Sequence, residues 1–159
     1  MPVISENLYD KKQTIKRMFE ICRKYHGDLN DIFISYRGKN IALSDLPLQD
    51  FFNFVKSIPF LRDDDPVEIV ARPKIIIENY LSGIGKDCKK AAVLIGSYLE
   101  AKKIPWRLAT ISTNKNKQIH HIFPQADFYN NGEYLNLDAT YNYMKMFGEK
   151  EVTRVEYFL

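Results

Sequence analysis

The stretch GKDCKKAAVLIGSYLEAKKIPWRLATIS, residues 85–112, decides the fold. Within it Cys88, Ala91, Ala92, Ile95 and Leu99 recur at i, i+3, i+4, i+7 and i+11, the spacing of one helix face. The helix is expected to start at about Asp87, with Cys88 in its first turn and Ile104-Pro105 ending it, because the residue before a proline avoids helical dihedrals. From Trp106 onward the pattern changes to strands. Trp106–Ser112, Ile119–Phe128 and Tyr134–Leu137 are rich in β-branched and aromatic residues, and Asn130-Asn131-Gly132 reads as a tight hairpin between the last two. One helix followed by antiparallel strands makes the chain an α+β domain.

Upstream, Leu8, Ile15, Met18, Phe19, Cys22 and Tyr25 predict a helix over about 6–26, with Gly27 as its stop. Residues 32–43 read as a hairpin turning at Arg37-Gly38-Lys39-Asn40. A second helix is expected from Leu46 to about Ser57, capped by Asp45, with Pro47 in its first turn and Leu48, Phe51, Phe52 and Val55 as its apolar stripe. Residues 62–67 form an acidic loop, read as solvated or capping because no spaced oxygen-ligand loop follows. A short helix follows Pro73 and ends near Gly83. The aromatic tail from Tyr141 to Leu159 reads as part helix, part strand. Neither repeats nor low-complexity linkers interrupt the chain, so residues 1–159 are taken as one domain. Its N-terminal helical part spans about 1–60 and its core about 61–145.

With 159 residues, 45% hydrophobic and 13% aromatic, the chain suffices for a sizeable core. Its net charge of +3, from 23 basic and 20 acidic residues, is scattered and is no footprint of nucleic-acid binding. Residues 1–20 carry charges throughout and lack an apolar signal segment, and no apolar run approaches a membrane span. A reducing compartment is therefore expected for Cys22 and Cys88. Cys22 and His26, at i and i+4, would make half a metal site, but no second ligand pair has the spacing; Cys22, Trp106, Phe51, Phe52 and Phe54 are assigned to the core. The Asn114–Lys117 stretch is expected to be a solvated loop. No metal and no cofactor is expected.

Chemistry enters at Cys88. The unpaired N–H groups and the dipole of a helix N-terminus favour an anion there, as do Lys86, Lys89 and Lys90, so a thiolate nucleophile is expected. The Cys88 backbone N–H would help hold an oxyanion. A cysteine nucleophile needs a base, and the base needs an orienting acceptor. A hairpin near residue 131 brings a histidine on one strand beside Asp138 on the next. Side chains alternate along a strand, so only one of His120 and His121 faces the cysteine; Phe123 shares the face of His121, Ile122 that of His120, and periodicity leaves the choice open.

Four motifs carry a resemblance: Asp87-Cys88 opening a helix, Ile104-Pro105-Trp106-Arg107, His121-Ile122-Phe123, and the closing Leu137-Asp138-Ala139-Thr140. Together they resemble the transglutaminase-like cysteine enzyme superfamily. The upstream segment FFNFVKSIPFLRDDDPVEIVARP, residues 51–73, looks like versions carried by tailed bacteriophages, so the likeness runs from about Phe51 to Thr140. Two departures stand out. Lys86 displaces the family's glycine before the aspartate, and Lys89 and Lys90 follow the cysteine where acidic residues are usual.

The resemblance implies a papain-like core in which the cysteine helix packs on an antiparallel sheet bearing His and Asp, and it selects His121. The implied catalytic set is Cys88, His121 and Asp138, acting on amide bonds of a protein or peptide substrate. Hydrolysis is favoured over crosslinking, because water is always at hand. The alternative is a non-enzymatic virion component, in a tail or connector, partnered by other virion proteins. The expected location is the cytoplasm, or a virion if the chain is phage-encoded; neither nucleic acid nor a membrane is an expected partner.

Overall fold

The computed structural model describes residues 8–61, 70–112, 121–148 and 154–158. The first helix, α1, runs Leu8–Tyr25 and passes into a 3-10 turn, His26–Asn30, that contains Gly27. Strands β1 (Phe33–Tyr36) and β2 (Lys39–Ala42) pair antiparallel across Arg37-Gly38, whose φ angles of 51° and 78° are both positive, as a two-residue primed turn requires. Helix α2 runs Leu48–Ser57. Its N-cap is Pro47 and not the expected Asp45, which lies in a separate 3-10 turn, Leu43–Asp45. Helix α3 runs Pro73–Leu81 with proline in its first turn; its chain reverses at Ser82-Gly83, where Gly83 has φ 88°. The acidic loop at 62–67 and the Asn114–Lys117 loop lie outside the described residues.

Helix α4, Cys88–Ala101, is the centre of the molecule. Asp87 caps it, accepting from the Lys90 N–H at 2.9 Å. It ends before Ile104-Pro105. Lys103 adopts φ 57°, and the Ile104 N–H reaches back to the Leu99 carbonyl and the Lys103 N–H to the Glu100 carbonyl, a closed C-terminal motif that satisfies the last carbonyls. Every residue from Ala91 to Leu99 is buried. The single apolar stripe expected from the sequence is thus too narrow a description: α4 is enclosed all round. Helix α1 covers one side, with Cys22 hydrogen-bonded to the Val93 carbonyl. On another, Phe51 of α2 stacks on Tyr98 at 4.5 Å.

A four-stranded antiparallel sheet covers a third side. Its strands are β3 (Trp106–Ser112), β4 (His121–Ala126), β5 (Leu135–Asn136) and β6 (Arg154–Phe158), in the order β5-β4-β3-β6. Leu108, Ile122 and Ala126 join α4 and the other helices in the main core cluster, while Ala109, Ile111 and Phe123 form a smaller cluster of their own. The α+β architecture read from the sequence is therefore present: the cysteine helix packs on the antiparallel sheet that bears the histidine.

Two connections differ from expectation. The β4–β5 link is not a tight hairpin but a longer loop, because the Asp127 carboxylate takes the N–H groups of Asn131 and Gly132 and folds residues 127–132 around itself. The tail contains no helix among its described residues. Residues 141–147 are turns that hang on β5, through the Phe147 N–H to the Asn136 carbonyl, and residues 154–158 form the edge strand β6 on β3.

Candidate active site

Cys88 is the first residue of α4 and is half-buried. Its backbone N–H belongs to the first turn, whose donors have no acceptor inside the helix. The turn leading to it is held by a strap. The Lys86 N–H donates to the Pro59 carbonyl and the Leu61 N–H to the Lys86 carbonyl, both at 2.8 Å, so Phe60 and Lys86 pair as a parallel bridge. Gly85 is what lets the strap come so close. A Cβ there would lie 2.4 Å from the Pro59 carbonyl oxygen, well inside contact distance.

His121 opens β4, and its partner across β3 is Ile111. The β4–β5 register pairs Gln125 with Asn136, and the Leu137 N–H then donates to the Pro124 carbonyl. Carrying that register one step further sets Asp138 opposite Phe123, two residues from His121 and on the same face of the sheet. The contact is close: His121 Nε2 lies 2.5 Å from Asp138 Oδ2. The other carboxylate oxygen, Oδ1, accepts from both the Thr140 N–H at 3.0 Å and the Thr140 hydroxyl at 2.6 Å. Asp138 and Thr140 are both buried, so the carboxylate is fixed before the imidazole meets it.

The Cys88 thiol stands near enough to the same ring to act on its titration. Since Nε2 is occupied by Asp138, Nδ1 is the ring nitrogen left for the sulfur. Burial opposes charge on this ring, but the hydrogen bond to Asp138 and the negative charges of Asp138 and Cys88 outweigh it, and the His121 pKa rises to about 9. Of the three residues singled out from the sequence, His121 and Asp138 touch, and Cys88 lies near enough to the ring to influence its charge. His120 lies outside the described residues.

The lysines behave differently from the diffuse positive cluster expected around the cysteine. Lys89 pairs with the Asp87 carboxylate at 3.1 Å. Lys86 is wholly buried, its ammonium donating to the Ile58 carbonyl. Cys22 is also wholly buried, and burial pushes its thiol up to about 12.

A row of rings borders the site. The Tyr141 ring stacks over His121 at 6.5 Å and 16°, and on Tyr143 at 5.4 Å and 4°; Phe60 leans on Tyr141 at 4.7 Å. Phe60 is 42% and Tyr143 73% exposed. The sequence reading missed the roles of Thr140, Tyr141, Phe60 and Lys86. Asp-x-Thr is a short-range signal that was there to be read. The other three act through tertiary contacts with no local signature.

No family model matches the chain, and no curated protein does. Among solved structures, Legionella pneumophila LapG is similar at 18% identity over 80% of this chain and 72% of LapG, with a TM-score of 0.46. Its calcium-bound form has a TM-score of 0.47 over 74% of LapG. A candidate cysteine protease from Cytophaga hutchinsonii is 13% identical over 99% of this chain and 57% of that one, with a TM-score of 0.42. The site is therefore read from its own geometry.

Proposed function

We propose that this chain is an acyl-transfer cysteine enzyme of the transglutaminase-like type, acting on amide bonds in a protein or peptide substrate. The observation that supports the reading is the imidazole of His121, held by the buried Asp138 carboxylate at 2.5 Å and raised in pKa by the neighbouring thiol of Cys88 at the first position of a helix. A structural histidine needs one partner; this one joins a nucleophile to an orienting acid.

In the proposed reaction the Cys88 sulfur, as thiolate, attacks the amide carbonyl carbon and forms a C–S bond. The carbonyl electrons move onto oxygen, and the Cys88 N–H, at the positive end of α4, stabilises that oxyanion. Collapse breaks the C–N bond, and the leaving amine takes the proton from the His121 imidazolium. A water then gives its proton to His121 and attacks the thioester. The C–S bond breaks, the acid departs, and the thiolate–imidazolium pair is restored. Asp138 keeps the ring oriented and balances its charge throughout. An amine in place of water would give crosslinking by the same steps.

Iodoacetamide at mildly acidic pH tests the reading. Cys88 is expected to be alkylated far faster than the buried Cys22, and Cys88→Ala is expected to lose all turnover of a panel of peptide amides. Equal, slow labelling of both cysteines would overturn the proposal. A ring-shaped assembly on sizing together with an inert Cys88 would instead favour the virion-component reading.

A further inference from the structure

An unbroken row of rings runs outward from the imidazole. Tyr141 lies over His121 at 6.5 Å and 16°, Tyr143 lies parallel to Tyr141 at 5.4 Å and 4°, and Phe60 meets Tyr141 at 4.7 Å and 45°. Tyr143, Phe60 and the adjoining Leu61 are all exposed. A lone exposed ring needs no explanation, but contiguous ones mark a surface that something covers. Phe60, Tyr141 and Tyr143 belong to neither core cluster, so the packing of the fold does not account for them. The backbone beneath them is nevertheless held. Phe60 sits between the two strap hydrogen bonds that Pro59 and Leu61 make with Lys86, two residues before Cys88. Residues 141–148 are tied down by the Lys56 ammonium on the Met144 carbonyl at 3.3 Å and by the Asn136 amide on the Gly148 carbonyl at 2.8 Å. Exposed rings on an anchored backbone make a preformed contact surface, because each ring offers a large area and little freedom to lose.

We propose that Phe60, Tyr141 and Tyr143 form a subsite that takes an aromatic side chain of the polypeptide substrate, close to the amide bond under attack. This rests on the reading of Cys88, His121 and Asp138 as the reacting set. The row begins at the imidazole that serves the scissile amide, so a substrate chain running along this face meets the rings with no rearrangement of the core. Reach sets the position of the matching residue. An extended chain advances about 3.3–3.6 Å per residue. The ring-to-ring steps of 6.5 and 5.4 Å therefore place that residue about two from the scissile amide at Tyr141, and no more than about four at Tyr143. Geometry also favours an aromatic guest over an aliphatic one. Phe60 and Tyr141 are inclined to each other, so a third ring can lie offset on one and tilted against the other, the two arrangements aromatic pairs prefer. An aliphatic side chain would gain the buried area alone.

The test compares full-length wild type, Tyr143→Ser and Phe60→Ser on alanine-based peptide amides, each with one phenylalanine at a different position, and on the all-alanine peptide. Mass spectrometry locates the cleaved bond. In wild type, phenylalanine within four residues of that bond is expected to raise kcat/KM about tenfold over the all-alanine peptide, and this ratio is expected to fall toward one in both variants. Rings with a merely structural role would lower the melting temperature and leave the ratio where it was. A wild-type ratio of one at every position, or a ratio that survives both substitutions, would overturn this inference alone, provided Cys88 is reactive to iodoacetamide. If Cys88 is reactive but no peptide is turned over, binding to Cys88→Ala decides. The phenylalanine peptide is expected to shift the ring resonances of Tyr141 and Tyr143 more than the all-alanine peptide does, and equal shifts would reject the subsite. Wild-type dimerisation that Tyr143→Ser abolishes would assign the rings to a second copy of this chain and reject it as well. A Cys88 labelled no faster than Cys22 would instead bring down the reading of the reacting set, and the subsite with it.

Discussion

Protonation of His121 gives the site a definite direction in pH. Its folded pKa, about 9, is raised above the unfolded value of about 6.5. The stabilisation it contributes is therefore fully present below about pH 6.5 and is lost as pH rises through about 9. Lys86 works in the opposite sense, since its pKa is lowered to about 8 from its ordinary value. Its burial costs most when it is charged, and that cost is relieved as pH rises. Global stability thus blends two opposed slopes, and turnover is the cleaner readout. Amide hydrolysis is expected to fall on the alkaline side with a midpoint near 9, followed in a pH series with a peptide amide. A flat profile from pH 7 to 10 would contradict it. Thr140 sets the acid in place. Thr140→Val removes the hydroxyl bond to Asp138 but keeps the shape, at a cost of about 1.5–3 kcal/mol, the usual range for a bond to a charged group. Denaturant unfolding of the variant checks this, and turnover is expected to fall with it. At this scale the approach of His121 to Asp138 was legible from the strand order and the turn between them, with His121 chosen over His120 by the resemblance and not by periodicity. Lys86 and Tyr141 were not, because burial and ring stacking appear only once the chain is folded.

At the scale of elements, α4 depends on a missing side chain. A Cβ at Gly96 would lie 2.6 Å from the Trp106 ring and 3.0 Å from the Cys22 sulfur. Trp106 cannot easily yield, as its ring lies tilted against Phe19 at 4.7 Å and its indole N–H donates to Glu100 at 2.9 Å. Gly96→Ala improves helix propensity by up to about 1 kcal/mol. Overpacking at such a contact costs about 1–3 kcal/mol. The variant is therefore expected to be less stable by thermal unfolding; a gain would show that Trp106 shifts freely. The same contact explains why α4 was only partly legible. Cys88, Ala91, Ala92, Ile95 and Leu99 announce one face, but Val93, Leu94, Ser97 and Tyr98 are buried on the others because α1, α2 and the sheet converge on this helix. Its start was readable from Asp87-Cys88. Its end was readable from Ile104-Pro105, although the left-handed Lys103 that closes it carries no glycine signal. The hairpin at residues 130–132 was misjudged for a related reason: the deciding group, Asp127, stands outside the Asn-Asn-Gly signal and recruits it.

For the molecule as a whole, the sheet order puts the histidine strand in an inner position, with β3 on one side and β5 on the other. Strand β6 closes β3 with five paired residues. Deleting residues 154–159 would bare the β3 edge. The expected result is a lower denaturation midpoint and concentration-dependent association, measured by denaturant titration and sedimentation, because an unpaired edge templates further strands. Unchanged stability and a strictly monomeric protein would assign the strand no structural weight. Antiparallel pairing of β4 with β5 was readable from their β-branched and aromatic residues and the turn residues between them. The pairing of a C-terminal strand with β3 was not, since nothing in residues 154–158 names a partner three strands back in the chain.

The enclosure of α4 has a consequence for how such a site can change. A helix gripped on every side cannot tilt or slide to suit a new ligand, so the sulfur behaves as a fixed point. Any retuning of preference has to be written in the surroundings that remain at liberty, above all at Phe60, Tyr141 and Tyr143, whose rings border His121 without bearing the weight of the core. Under the proposed reading, a library confined to those positions would explore substrate choice around a stationary sulfur.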